Sequence, residues 1–427
     1  MTFPSPKILV VDDSRMFLQV LVNNLQDAVT GEIVSAGSMA EARELLEEHE
    51  FDLAMLDLNL PDAPQGEVVD LVLARDIPVI VFAGDCADHT RDRLWSKKIV
   101  DYVVKEGGES LNYAVRQARR VIMNRDAKAL VVEDSETVRT MLAGLLRVHR
   151  FQVFEAENGR EALKVMNANP DIQLIITDYE MPEMDGVRFV RVVRARHPKD
   201  EVAIIGISSH EQENLSARFL KSGANDFLTK PFSSEEFYCR VSQNMDLLEY
   251  IHTIKDYSEK DFLTGLYNRR YLFAQGASRV RRKQKRGEKI YLAMLDIDHF
   301  KKINDQYGHE KGDAVLKDMG EKLRQRFGGQ GIAVRLGGEE FCLLLDGVGD
   351  GVAGIVEDFR RGISTTPITA GGSRISFTVS VGLCGSASED IEAMIRRADE
   401  LLYQAKEQGR DRLVACLDEI CGGERRV

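Results

Sequence analysis

Lys7-Ile-Leu-Val-Val-Asp-Asp13 and Ala129-Leu-Val-Val-Glu-Asp134 are built alike: each is an apolar run of strand length that ends in paired acids. The pairs are offset by 121 residues, from Asp12 to Glu133. Leu53–Asp57 and Leu174–Asp178 are further apolar runs ending in an aspartate, again 121 residues apart. Lys105 and Lys230 each follow a later apolar run, at an offset of 125. Features held in register over such a distance mark a tandem duplication of one domain.

Within each copy, strand-length runs alternate with stretches of helical period. In the second copy the expected strands are 129–132, 152–154, 174–177, 203–207 and 226–228, with helices at 136–148 and 160–166. Alternating β and α predicts a parallel sheet covered by helices on both faces, with functional residues at the carboxyl ends of the strands. The paired acids, the lone aspartate and the lysine would meet at that rim. Three carboxylates packed together repel unless a divalent cation sits among them, and Mg²⁺ prefers oxygen ligands. A neighbouring lysine suits an incoming phosphoryl group, and the aspartate can act as nucleophile to form an acyl phosphate. The plain alternative, loop acids and helix caps, explains one such aspartate but not the full set met twice.

On these residues the segments 5–122 and 127–245 resemble response-regulator receiver domains, which are flavodoxin-like (βα)5 folds. The resemblance implies Asp57 and Asp178 as phosphoacceptors, with Asp12, Asp13, Glu133 and Asp134 holding Mg²⁺. It also implies a switch hydroxyl 22 residues before the lysine. The second copy has Ser208 there, Pro231 after Lys230, and Phe227 as a rotating aromatic. The first copy has Ala83 at that spacing from Lys105, and Glu106 follows the lysine. Alanine cannot make the hydroxyl bond. Asp178 is therefore expected as the regulatory acceptor, and the first copy as an adaptor or dimerisation element. A histidine kinase or phosphotransfer protein is the implied phosphodonor.

From Ser233 to Ser258 no proline or glycine occurs, and Ser233 with Glu236 fits a capping box. Phe237, Val241, Leu247, Leu248, Ile251 and Ile254 carry a helical period beyond the second receiver. A helix over 233–258 would run ~39 Å at ~1.5 Å per residue. The plain reading is that the stripe packs on the receiver; because it outlasts that domain, a parallel helix pair in a homodimer is expected instead.

The third segment opens Asp261-Phe-Leu-Thr-Gly-Leu-Tyr-Asn-Arg-Arg270 and continues to the basic run 279–289, in which seven of eleven residues are Lys or Arg. That run reads first as a solvated helix face. A strand over 290–295 leads into Asp296-Ile-Asp298, and Val334-Arg-Leu-Gly-Gly-Glu-Glu-Phe341 puts a Gly-Gly-Glu-Glu turn between two strand runs. Such a hairpin offers close backbone approach beside carboxylates. A bare anion pocket would not use acids, whereas a metal-triphosphate pocket would. No G-x-x-x-x-G-K-[ST] stretch occurs, which excludes a Walker-type NTPase.

The segment 261–415 resembles the GGDEF diguanylate cyclase domain, an α+β fold like the nucleotide-cyclase palm, with Gly337-Gly-Glu-Glu-Phe341 as its signature. The resemblance implies condensation of two GTP into cyclic di-GMP with release of pyrophosphate, using Mg²⁺ or Mn²⁺. By position, Asp296, the carbonyl of Ile297 and Glu339 would bind the metals, and Glu340 would deprotonate the ribose 3′-hydroxyl. Asn304 and Asp313 would read guanine and His309 would help to position substrate. Phe300 and Lys301, with Lys406 and Arg410, would contact or neutralise phosphates. Because the product is two-fold symmetric, two loaded domains must face each other in a dimer. The family's inhibitory Arg-x-x-Asp falls here on Gly328 and Gly331, so product inhibition through that site is expected to be absent.

Composition agrees with this reading and excludes others. At 427 residues, 44% hydrophobic and 30% charged, the chain has material for two to four soluble domains. Apolar runs fall far short of the ~20 residues of a membrane span. Residues 1–7 lack signal-peptide features, and six scattered cysteines indicate neither a zinc site nor a disulfide framework. A net charge of −12 argues against a nucleic-acid partner. A cytoplasmic protein is expected. Two other outputs remain open at this stage: a catalytically silent receptor for GTP or cyclic di-GMP, and a phosphorelay scaffold.

Overall fold

The computed structural model describes residues 5–84, 88–209, 215–346, 349 and 351–417, without the side chains of 88–90 and 92. Cys86, Cys421 and the tail after Leu417 lie outside the described residues. The chain divides into two compact units, Met1–His252 and Thr253–Val427.

In the first unit, the first copy runs β1 (Lys7–Val11), α1 (Arg15–Ala28), β2 (Glu32–Ala36), α2 (Met39–Glu48), β3 (Leu53–Asp57), α3 (Glu67–Leu73), β4 (Val79–Ala83), α4 (Asp88–Ser96), β5 (Asp101–Val104) and α5 (Gly108–Asn124). The second runs β6 (Lys128–Val132), α6 (Glu136–Val148), β7 (Gln152–Ala156), α7 (Gly159–Ala168), β8 (Ile172–Asp178), α8 (Gly186–Arg194), β9 (Ala203–Ser208), α9 (Leu215–Ser222), β10 (Asp226–Thr229) and α10 (Ser234–Glu259), which continues past the unit's end at His252. Each sheet is parallel and five-stranded, ordered β2-β1-β3-β4-β5 and β7-β6-β8-β9-β10. The two copies thus share one doubly wound order, whose reversal between the first and third strands opens a crevice at the carboxyl ends. Helices cover both faces, so β3 and β4 are buried at every residue, and for that reason they read as unbroken apolar runs.

The copies are clamped together inside this unit. Trp95 of α4 stacks on Tyr238 of α10 at 5.9 Å, and Tyr238 stacks on His149 at 3.8 Å. The His149 ring lies 3.2 Å from the Val100 carbonyl, and its complete burial pushes its pKa down to about 3. Around this stack Arg91 pairs with Glu235, Arg119 with Glu249, and Arg120 with Asp246 and Glu249. Asp52 receives both Arg125 and Arg150.

α10 starts as expected, with the Glu236 amide donating to Ser233 Oγ at 3.1 Å. Its stripe needs correcting. Phe237, Val241 and Leu248 are buried in the second copy's core, together with Met245. The exposed apolar residues are Leu247, Tyr250, Ile254 and Tyr257, spaced three, four and three. A single helix carries two apolar faces, and the six residues of the sequence stripe mixed them.

The second unit holds a six-stranded mixed sheet in the order Tyr267–Asn268, Gly331–Gly337, Glu340–Leu345, Ile290–Ile297, Val379–Ser386, Leu413–Cys416. Its central strand, Ile290–Ile297, is buried throughout. Tyr291, Ala293, Leu295 and Ile297 join a core with the helices His309–Phe327 and Val352–Thr365. Ile290, Leu292 and Met294 join another with Ile391–Glu407, as the period-2 alternation of a strand requires. The basic run is partly paired rather than simply solvated, since Arg279 meets Asp346 and Lys283 meets Glu288. Cys239, Cys342 and Cys384 are free thiols, whereas Cys416 is disulfide-bonded, a link its spacing did not announce. Among the described residues, no helix is long and apolar enough to cross a membrane.

Candidate functional site

Each parallel sheet carries an acidic pocket at its carboxyl rim. In the first copy Lys105 Nζ donates to Asp12 at 2.7 Å and to Asp57 at 2.6 Å. Carboxylate oxygens of Asp12, Asp13 and Asp57 lie within 4.8 Å of one another, close enough to share one cation. Burial raises the Asp12 pKa, and bonding to Lys105 offsets this only in part. Burial works against the Lys105 ammonium, but its two carboxylate partners hold its pKa above the ordinary value.

The second copy repeats the bridge. Lys230 Nζ donates to Glu133 at 2.7 Å and to Asp178 at 2.8 Å, and burial again raises the Glu133 pKa. Asp134 is exposed at the mouth, beside Glu180 and Asp185. Backbone geometry is shared as well: the Lys105 amide donates to Ala83 at 2.9 Å and the Lys230 amide to Ser208 at 2.8 Å. Ser208 therefore stands at the same strand end as Ala83, and only the hydroxyl differs. Phe227 is half-buried, its ring 5.4 Å from Phe219.

In the second unit, Asp296 and Glu340 are register partners on adjacent antiparallel strands. The Ile297 amide donates to the Glu339 carbonyl at 3.3 Å, so Asp296, Ile297, Glu339 and Glu340 gather at one sheet end. The hairpin can be this tight because Gly338 sits at φ +53°, in the left-handed region that glycine enters without strain. Asp296 is 7% exposed, and its burial raises its pKa against the pull of Lys406, whose Nζ lies 2.8 Å away. The oxygen donors of Asp296, Ile297 and Glu339 fit a hard divalent cation.

Asn304 lies on the short helix Phe300–Tyr307, with its Oδ1 buried and without a hydrogen-bond partner among the described residues. A Cβ at Gly312 would stand 1.8 Å from that oxygen, so the glycine makes room for it. A buried acceptor left unpaired costs ~1–3 kcal/mol, which points to a donor supplied from outside the chain. Asp313 and His309 are exposed on the following helix, and Lys301 is exposed on the first. Phe300 departs from expectation. Its side chain belongs to the core, so only its backbone amide could meet a phosphate. Lys406 pairs with Asp296 rather than projecting alone, while Arg410 sits on a loop where both it and Asp411 have positive φ, 63° and 45°.

Two residues escaped the sequence reading. Asp298 is buried and accepts from Thr378 and Ser380 hydroxyls, each at 2.7 Å, and from the Asp411 amide at 3.1 Å. It thereby holds the strained loop that carries Arg410. Arg335 donates to the Gly338 carbonyl at 2.8 Å and pairs with Asp261 at 3.0 Å, fastening the hairpin turn to the start of the unit. A charge inside the apolar run Val334-Arg-Leu336 was the signal for it. Gly331, where the inhibitory aspartate would stand, has no room for a side chain: a Cβ there meets the Leu344 carbonyl oxygen at 2.1 Å.

Both units resemble known proteins. The response regulator receiver domain matches residues 8–115 and 129–242, and the diguanylate cyclase, GGDEF domain matches 258–412. The response regulator PleD of Caulobacter vibrioides is 31% identical over 300 residues, spanning 67% of this chain and 65% of PleD. Diguanylate cyclase DgcP of Pseudomonas aeruginosa is 39% identical over 177 residues, 40% of this chain and 26% of DgcP. A crystal structure of a two-component response regulator/GGDEF domain protein is 41% identical with a TM-score of 0.54, covering 57% of this chain and 99% of its own. The chain belongs to the response regulators, with two receiver domains followed by a GGDEF domain.

Proposed function

We propose that this protein is a phosphorylation-regulated diguanylate cyclase, which condenses two GTP into cyclic di-GMP and releases pyrophosphate. The observation that carries this reading is the meeting of Asp296, Glu339 and Glu340 at one sheet end. The unpaired buried Oδ1 of Asn304 adds support for nucleotide binding in the same unit. Asp296, the Ile297 carbonyl and Glu339 would hold Mg²⁺ or Mn²⁺, which when bound neutralises phosphate charge and polarises the reacting phosphoryl group. Glu340, exposed at the hairpin, takes the proton of the attacking 3′-hydroxyl. Asn304 and Asp313 receive the guanine edge and His309 helps position the nucleotide. Lys301, Lys406, Arg410 and the Phe300 amide steady the triphosphate.

Each domain supplies one GTP, so activity requires a homodimer, and the exposed stripe Leu247, Tyr250, Ile254 and Tyr257 has the three-four spacing of a helix pair. The stimulus is phosphorylation of Asp178 by a histidine kinase or phosphotransfer protein in the cytoplasm, read by Ser208. Receiver 1 serves as an adaptor. Product inhibition through positions 328 and 331 is absent.

The test is product formation. Protein given GTP and Mg²⁺, with and without a small acyl-phosphate donor, should make cyclic di-GMP that rises with the donor. Glu340→Ala should abolish product. No product from a folded dimer under either condition would overturn the enzyme reading.

A further inference from the structure

Receiver 1 differs from receiver 2 immediately after the lysine. Receiver 2 continues Lys230-Pro-Phe232, and Phe232 stacks on Phe237 at 5.8 Å. Receiver 1 continues Lys105-Glu-Gly-Gly108. Gly107, at the place of Phe232, has φ +99°, and a Cβ at 107 or 108 would meet nothing within 4 Å among the described residues. At this place a cavity of about 350 Å³ opens, walled by Met16, Phe17 and Val20 of α1, Phe82 of β4, Val104 of β5 and Leu111 of α5. Met16 is 80% exposed and Val20 42%, so the mouth is apolar too. Ser14, Ser110 and Lys105 supply its polar side-chain edge. Volume and lining fall within the range of small-molecule sites, roughly 300–1,000 Å³ and mainly apolar with few polar groups.

We propose that this cavity is a binding site for a small, neutral, mainly apolar molecule, an aromatic or short-chain compound with one or two hydrogen-bonding groups. The charge follows from Lys105. Its ammonium is already bonded to Asp12 and Asp57, so an anion would face those carboxylates and a cation would compete with the lysine for them. Phe17 links the cavity to the phosphoacceptor: its ring packs edge-on against Phe82 at 5.1 Å and lies 4.6 Å from Lys105 Nζ. Leu111 links it to α5, whose Arg119 and Arg120 hold receiver 2. Occupancy thus reaches both the acidic pocket and the clamp, in a receiver that lacks the hydroxyl at position 83.

The probe is 1-aminoanthracene, a neutral aromatic dye, titrated into the full-length protein and read by its own emission. Saturable uptake of one dye per chain is expected. Gly108→Phe and, independently, Val20→Phe at the exposed mouth should each weaken binding by about tenfold or more, whereas Gly108→Ala should stay within about twofold. The double substitution Leu247→Ser, Ile254→Ser should leave uptake unchanged, which excludes the exposed stripe of α10 as the dye's site. Absence of saturable binding, as for a groove shaped to a protein helix, would overturn the proposal. So would binding unchanged in both Phe variants with parental circular dichroism.

Discussion

Receiver 1 and receiver 2 have one fold, one lysine bridge and one aspartate at the end of the third strand, yet around that aspartate they part. Ala83 stands against Ser208, Glu106 against Pro231, and Gly107 against Phe232. If both copies accept a phosphoryl group, as proposed, acceptance and the device that reports it are separable. Backbone geometry, set by parallel strands, puts the acids and lysine together in both copies. The proposed report would depend on side chains that differ between the copies while the sheets stay alike. Receiver 1 instead commits the α4–β5–α5 side to holding its neighbour through Trp95, Arg119 and Arg120.

The sharpest way to break this contrast is at the two aspartates. Asp178→Asn should remove all stimulation by an acyl-phosphate donor, and Asp57→Asn should leave stimulated cyclic di-GMP formation within about twofold, because a transfer of small coupling energy shifts few molecules. The reverse result would exchange the roles of the receivers. Next in size is the hydroxyl. Ser208→Ala should cut stimulation on the order of tenfold, the worth of one hydrogen bond to a charged group. Ala83→Ser in an Asp178→Asn background should restore part of the response if the hydroxyl alone separates the copies.

The clamp predicts a change in stability rather than activity. Arg120→Ala removes a buried guanidinium from Asp246 and Glu249 and should cost about 2–3 kcal/mol in denaturant unfolding. The emission of Trp95, the chain's single tryptophan, would report the loss. Exposed Arg147, paired with Glu155, should cost less than about 0.5 kcal/mol when replaced by alanine.

Acid should reveal two opposed slopes. His149 has a pKa of about 3 when folded against ~6.5 unfolded. Between these values the unfolded chain binds more protons, and stability falls as pH falls. Asp101 is pushed up to about 6 by burial, against an ordinary value near ~3.9. In its window the folded chain binds more protons, and stability rises as pH falls. From pH 7 to pH 5 the two contributions have opposite sign and similar size, each on the order of 1–2 kcal/mol. The parent should thus be nearly flat in urea unfolding over this range, and Asp101→Asn should expose most of the histidine slope. A variant as flat as the parent would mean that His149 is not held neutral.

The sheets were legible because burial on both faces writes strands as apolar runs, and duplication wrote them twice. Acids at strand ends followed from the same pattern. What stayed hidden needed contacts distant in sequence. Arg335 reaches Asp261 across 74 positions, and nothing local marks them as partners. Asp298 stands two residues from Asp296 on the same strand end, yet only its three donors distinguish a structural carboxylate from one facing a ligand. α10 interleaves a core face and an open face within each turn, so periodicity summed over both could not separate Leu248 from Leu247.

Gly331 has a further bearing on how an output of this kind would behave in time. The Leu344 carbonyl occupies the space that any side chain there would need, so a brake of the Arg-x-x-Asp type is out of reach of point substitution at that strand without moving its neighbour. Without that brake, product would not limit its own synthesis through this surface. The amount made would integrate the lifetime of the phosphoryl group on receiver 2, and the signal would end only when that group is lost or when another enzyme destroys what has accumulated.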